Sequence, residues 1–130
     1  MKHVLDAWPV AALLNGEPAA SRVAELLEAG DGIGMSSINL GEVYYGMVRR
    51  RGRAVAQDLV RGIRQLIRVE DPDWELVRSA AEIKAGGGLS YPDAFCVATA
   101  MRHRAPLYTG DPEIIGLGAD IEVIDLRSTA

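Results

Sequence analysis

The stretch His3-Val4-Leu5-Asp6-Ala7-Trp8-Pro9 starts as an apolar run and ends it on an acid. Residues 3–5 read as a short strand that hands over to Asp6. Trp8 precedes a proline and is biased away from helical angles. Pro9 suits a helix start, and VAALLNG continues as a short helix that stops near Gly16. Asp6 lies between apolar neighbours, so burying its charge demands a partner.

The same alternation repeats along the chain. Pro18 opens a helix in which Val23, Leu26 and Leu27 recur at helical spacing, and Gly30 ends it. Residues 33–35 read as a second strand and residues 36–51 as a helix broken by Gly52. Residues 54–66 form another helix, with Leu59, Ile63 and Leu66 on one face. A third strand is expected at 67–69, and a helix at 72–85 is ended by Gly86, Gly87 and Gly88. Residues 91–103 make a strongly apolar helix, 106–108 a strand, 111–115 a helical turn and 122–124 a last strand. Short apolar strands alternating with helices predict an α/β fold, a parallel sheet covered on both faces. Ligands of such sheets bind beyond the carboxyl ends of the strands, where strand order reverses. A chain of 130 residues matches one domain, residues 1–130, with one core. Residues 127–130 read as a loose end.

Cys96 is the single cysteine. It can build neither a disulfide framework nor a cysteine zinc site, which fits a reducing cytoplasm. Asp6 and Pro9 interrupt the first apolar run, which argues against a secretory signal, and no stretch approaches the ~18 apolar residues of a membrane span. The net charge of −4 argues mildly against nucleic acid, yet the positive charge is uneven. Arg49, Arg50, Arg51, Arg53, Arg61, Arg64 and Arg68 crowd one stretch, which suits either phosphate contacts or a solvated helical face.

Four acids fall where such a sheet binds ligands. Asp6 ends the first strand, Glu42 lies early in the helix after the second, and Asp111 follows the fourth. Asp93 opens the helix that leads into that fourth strand. Each also has a local reading. Asn39-Leu40-Gly41-Glu42 and Ser90-Tyr91-Pro92-Asp93 have capping-box spacing, and Asp111-Pro112 reads as an N-cap with proline at the first helical position. Together the acids point elsewhere, because carboxylates gathered at one edge repel one another unless a cation joins them. Hard divalent ions such as Mg²⁺ and Mn²⁺ prefer oxygen ligands and keep positions open for a phosphate oxygen and a nucleophile.

At these residues the chain resembles a known family. Val4-Leu5-Asp6, Asn39-Leu40-Gly41-Glu42-Val43-Tyr44-Tyr45-Gly46, Leu89-Ser90-Tyr91-Pro92-Asp93-Ala94 and Leu107-Tyr108-Thr109-Gly110-Asp111 are similar to the four acidic blocks of PIN domains. In order, spacing and length they look most like VapC-type toxins. The resemblance implies an α/β/α sandwich with a central parallel sheet of about five short strands and an endoribonuclease dependent on Mg²⁺ or Mn²⁺. Asp6, Glu42, Asp93 and Asp111 would be the metal-binding acids, with Asp6 and Asp111 as the shared central ligands. Thr109 would orient Asp111 or a water of the site. The resemblance also implies an RNA substrate, a cognate antitoxin and a homodimer. One departure stands out: family members often carry Ser or Thr directly after the first acid, and here that position is Ala7.

Two other readings remain: a PIN nuclease of RNA processing without an antitoxin, and a PIN-like scaffold that has lost catalysis. Glu113 reads as a surface residue of a helix start, with a rim acid as the alternative. His3 and His103 are weak catalytic candidates, and Cys96 reads as a buried inert thiol. Tyr44, Tyr45 and Met47 suit a groove for a partner helix or an RNA base, or core packing. Gly41 and Gly46 read as places where a neighbouring helix comes close.

Overall fold

The computed structural model describes residues 1–117 and 120–127; of the expected loose end, residues 128–130 lie outside the described residues. In chain order the elements are β1 (His3–Leu5), α1 (Ala7–Leu14), α2 (Ala20–Ala29), β2 (Ile33–Ser36), α3 (Ser37–Arg51), α4 (Arg53–Leu66), β3 (Arg68–Glu70), α5 (Trp74–Ala85), α6 (Tyr91–His103), β4 (Leu107–Thr109), α7 (Pro112–Ile115) and β5 (Val123–Asp125). All five strands are parallel, in the order β3-β2-β1-β4-β5. The chain builds outward from β1 to β3 and then returns to the other side of β1. Strand order therefore reverses between β1 and β4, and the crevice expected there opens at their carboxyl ends.

Alternate strand residues face opposite sides of the sheet, and both sides are covered. Leu5, Ile33 and Met35 pack with Val10 of α1, Val43 of α3 and Ile63 of α4. Val4 and Leu107 pack on the other side with Cys96 and Val97 of α6 and Ile114 of α7. α5 covers the outer face of α6, where Leu76 and Ala80 meet Ala94 and Ala98. This is the parallel sheet covered on both faces that the alternation predicts, and the α/β/α sandwich that the resemblance implies. Enclosed by the sheet and α5, α6 is buried at every position from Asp93 to Ala100, which explains why its sequence is apolar all round.

Three local expectations change. α1 begins at Ala7, not Pro9, because Asp6 caps it by accepting the N–H of Ala7. Pro9 then sits within the first turn, where a missing N–H costs nothing since the helix has no acceptor for it. Leu66 is 62% exposed, and Ile67, where the chain leaves α4, turns inward in its place. The close helix neighbour expected at Gly41 and Gly46 is absent: a Cβ at either would meet no heavy atom within 4 Å. The close approach is at Gly110, where a Cβ would lie 2.2 Å from the Trp8 ring. The indole is thus laid directly on the turn between β4 and α7.

These glycines give opposite expectations. Gly46→Ala should stabilise the fold by about 0.5–1 kcal/mol by removing backbone freedom from the unfolded chain and the helix. Gly110→Ala should cost roughly 1–3 kcal/mol through overpacking. Urea unfolding of both variants checks this, and a neutral Gly110→Ala would show that the Trp8 contact is not a tight one.

Candidate metal centre

Each of the four acids is carried to the crevice by a different element. Asp6 follows β1 and is buried, 3% exposed. Its Oδ1 accepts the N–H of Ala7 and its Oδ2 accepts the hydroxyl of Thr109, both at 2.5 Å. Thr109, the last residue of β4 and wholly buried, also accepts the N–H of Asp111 at 2.9 Å. Its hydroxyl therefore orients Asp6 and holds the backbone of Asp111, where sequence reasoning gives it the Asp111 side chain or a water.

Asp111 caps α7, its Oδ1 accepting the N–H of Glu113 at 2.9 Å. Asp93 lies in the first turn of α6, and its N–H is capped by Ser90 Oγ at 3.3 Å. Glu42 is half-buried in the second turn of α3. The capping box expected from Asn39 to Glu42 does not form, because α3 starts earlier and Ser36 caps it by accepting the N–H of Ile38. Asn39 is instead inside the helix, fully buried, and its Nδ2 donates to Glu42 Oε1 at 3.1 Å and to the Pro92 carbonyl at 2.9 Å.

The side chains converge in two overlapping groups. Carboxylate oxygens of Asp6, Glu42 and Asp93 lie within 4.8 Å of one another, as do those of Asp93, Asp111 and Glu113. Asp93 is the acid common to both groups, the place that sequence reasoning gives to Asp6 and Asp111. Glu113, read from sequence as a surface residue, is exposed and yet joins the second group.

Bringing these groups together perturbs them. Burial pushes the Asp6 carboxyl above its ordinary value against the opposing bonds from Thr109 and Ala7, and the Asp111 charge adds to the rise. Burial likewise raises Glu42, opposed by the Asn39 bond and reinforced by the charges of Asp6 and Asp111. Asp93 is raised to about 7, by burial first and then by the charges of Asp111 and Asp6. Among the described residues, no Lys, Arg or His forms an ion pair with Asp6, Glu42, Asp93 or Asp111. An all-oxygen donor set with no protein cation to offset it fits a hard divalent ion.

The remaining candidates fall outside this constellation. His3 bonds the Tyr108 hydroxyl at 2.9 Å, and His103 bonds Glu70 at 2.8 Å. Cys96 is buried beneath the site, donates to the Asp93 carbonyl at 3.1 Å, and has its thiol pushed well up by burial and the nearby acids. Met47 is a core residue, which removes it from the expected groove. Tyr45 is 54% exposed with the Arg49 guanidinium 5.3 Å from its ring centre, and Tyr44 lines a groove with Ser37, Gly41 and Arg64. The arginine cluster is split by the fold: Arg49, Arg50 and Arg51 end α3, far from its start at the sheet edge, whereas α4 brings Arg64 back toward that start.

Sequence reasoning misses the part played by Asn39. The signal available was its spacing to Glu42, since side chains three apart on a helix share a face.

The acid cluster sets the pH response of the metal-free protein. Folded, Asp93 keeps its proton to about pH 7, whereas an unfolded Asp loses it near ~3.9. Between those values the native state binds more protons, so stability falls as pH rises through the window. With a chelator present, Asp93→Asn should flatten that fall and raise the melting temperature at neutral pH. Identical melting-temperature profiles for the two proteins would contradict this.

Comparison with known proteins agrees with this geometry. A family model described as PIN domain matches residues 4–118. No curated protein sequence matches the chain. Among solved structures, the chain is similar to Mycobacterium tuberculosis VapC20, described as a sarcin-ricin loop cleaving toxin, with 21% identity, a TM-score of 0.75, and 92% of this chain and 98% of that chain covered. It is similar to VapBC-1 of nontypeable Haemophilus influenzae, with 20% identity, a TM-score of 0.76, and 98% and 100% covered. A toxin-antitoxin complex from Klebsiella pneumoniae gives 20% identity, a TM-score of 0.72, and 95% and 97% covered. At these identities the likeness is one of fold.

Proposed function

The chain belongs to the PIN-domain family, and from that premise we propose that it is a metal-dependent endoribonuclease, the toxin of a toxin–antitoxin pair. The observation that carries the reading is the meeting of Asp6, Glu42 and Asp93 within 4.8 Å at the crevice between β1 and β4, with no ion pair to a cationic side chain among the described residues. Asp6, Glu42, Asp93 and Asp111 would hold Mg²⁺ or Mn²⁺. When bound, such an ion supplies Lewis acidity for an in-line displacement at phosphorus.

The chain's own residues prepare that site. Thr109 and the Ala7 N–H fix the Asp6 carboxylate in one orientation. The Asp111 cap and the Ser90 cap hold two further acids at helix starts. Positioned groups of this kind need no reorganisation during the reaction. Arg64, in the groove beside Ser37 and Gly41, is placed to meet an RNA phosphate approaching the centre. An inactive scaffold would gain nothing from keeping four mutually repelling acids.

A toxin relative and a toxin–antitoxin complex among the similar structures support a protein antitoxin as partner. The exposed Leu66 forms an apolar groove with Leu13 and Leu27 that an apolar antitoxin segment would cover. We read the chain as a single nuclease domain, with a homodimer as its assembly and the cytoplasm as its compartment. Among the described residues no helix is long and apolar enough to cross a membrane.

The test is sequencing of RNA 5′ ends after expression of the wild type and of Asp6→Asn, followed by cleavage of the same RNA by purified protein with Mn²⁺. Wild type should produce discrete new ends, and Asp6→Asn should reduce cleavage by roughly 10²-fold or more. Equal cleavage by both would remove the acids from the reaction. Mn²⁺ binding without any cleavage would favour the scaffold.

A further inference from the structure

Asn39 is a polar side chain in a place where the fold alone calls for an apolar one. It is wholly buried, it lies on the core side of α3 beside Leu40 and Val43, and its Oδ1 is buried without a partner among the described residues. A buried acceptor left unpaired costs free energy, and packing would be better served by a hydrocarbon. Both of its hydrogen bonds come from the other end of the amide. One Nδ2 hydrogen goes to the Pro92 carbonyl at the start of α6, 2.9 Å away, and the second to Glu42 Oε1, 3.1 Å away. Turning the amide over would set an oxygen against a carbonyl and a carboxylate, so the orientation is unambiguous.

Resting on the metal-centre reading above, we infer that Asn39 is a positioning residue that aims the Glu42 carboxylate into the site, with the Pro92 carbonyl as its anchor. Glu42 needs such an aid more than the other acids do. Asp6, Asp93 and Asp111 are short side chains beside a strand end or in the first turn of a helix, whereas Glu42 has one more rotatable bond and starts from the second turn of α3. The donated bond restricts that freedom and favours the ionised, ligating form of the carboxylate. The anchor lies one residue before Asp93, so the amide also ties the spacing of Glu42 to the helix that carries the next ligand. An outer residue that orients a metal ligand typically changes metal affinity by about 10–100-fold when removed.

The test is Mn²⁺ titration by calorimetry on four full-length proteins: wild type, Asn39→Ala, Glu42→Gln and the double variant, below their melting temperatures as read by circular dichroism. Asn39→Ala should weaken Mn²⁺ binding by about tenfold or more while the folded signal is retained. In the Glu42→Gln background the same change should weaken it by less than about threefold, because the group through which Asn39 acts is already altered. If Asn39→Ala does not fold, Asn39→Ser, which keeps one short donor, replaces it in the same cycle. Unchanged Mn²⁺ affinity in a folded Asn39 variant overturns the inference and leaves the metal centre standing, and so does a full tenfold loss that persists in the Glu42→Gln background. Absence of Mn²⁺ binding by the wild type overturns the metal reading itself, and this inference with it.

Discussion

Carboxylates that repel one another are held together at the crevice between β1 and β4, and much of the molecule is arranged around that constraint. The work against repulsion and burial appears as raised carboxyl pKa values at Asp6, Glu42 and Asp93. Such a cluster persists only on supports that cannot move apart. The parallel sheet provides one, since Leu5 and Tyr108 are direct partners across β1 and β4, just before the positions that lead to Asp6 and Asp111. The other is α6, enclosed by the sheet and α5, which brings Asp93 to the same edge with almost no freedom to withdraw.

Capping and ligation are alternatives when the acids are read along the chain, but the folded geometry leaves room for both. Asp111 accepts the Glu113 N–H on Oδ1 and still brings a carboxylate oxygen within 4.8 Å of those of Asp93 and Glu113. Asp6 accepts one bond on each oxygen, and each carboxylate oxygen has a further lone pair to offer. A helix start supplies N–H groups that need an acceptor and that favour negative charge. Placing an acid of the cluster there aims the carboxylate and partly offsets its repulsion with the same group.

The architecture was legible because it depends on periodicity. Short apolar strands between amphipathic segments imply a covered parallel sheet, and the apolar run around Phe95-Cys96-Val97-Ala98 announces the enclosed α6. What was not legible depends on contacts remote in sequence. Asn39 and Glu42 have the spacing of a capping box and equally that of a side-chain pair within a helix. A helix already under way from Ser37, with Ser36 as its cap, excludes the box, and only Pro92, on another helix, gives Asn39 its second bond. The glycines make the same point. Gly46 lies in a motif yet a Cβ there would meet nothing within 4 Å, whereas Gly110 has no room for one because Trp8, from the other end of the chain, packs onto it. Asp93 as the acid common to both carboxylate groups likewise follows from where α6 crosses the sheet, which no local pattern encodes.

The departure at Ala7 shows how such remote contacts can substitute for a local residue. In similar chains a Ser or Thr commonly follows the first acid and can offer it a hydroxyl from the adjoining position. Here the adjoining residue contributes only its backbone N–H to Asp6 Oδ1. The hydroxyl reaches Asp6 from across the sheet, donated to Oδ2 by Thr109, and β1 and β4 are adjacent strands, so the donor is as fixed as a neighbour in sequence would be. The bond also links the two strands exactly where strand order reverses, and the N–H of Asp111 is accepted by the same oxygen. The absence of a hydroxyl at position 7 therefore still leaves the first acid with donors on both oxygens and makes Thr109, a residue without charge, the group on which the orientation of Asp6 and the placement of Asp111 both depend.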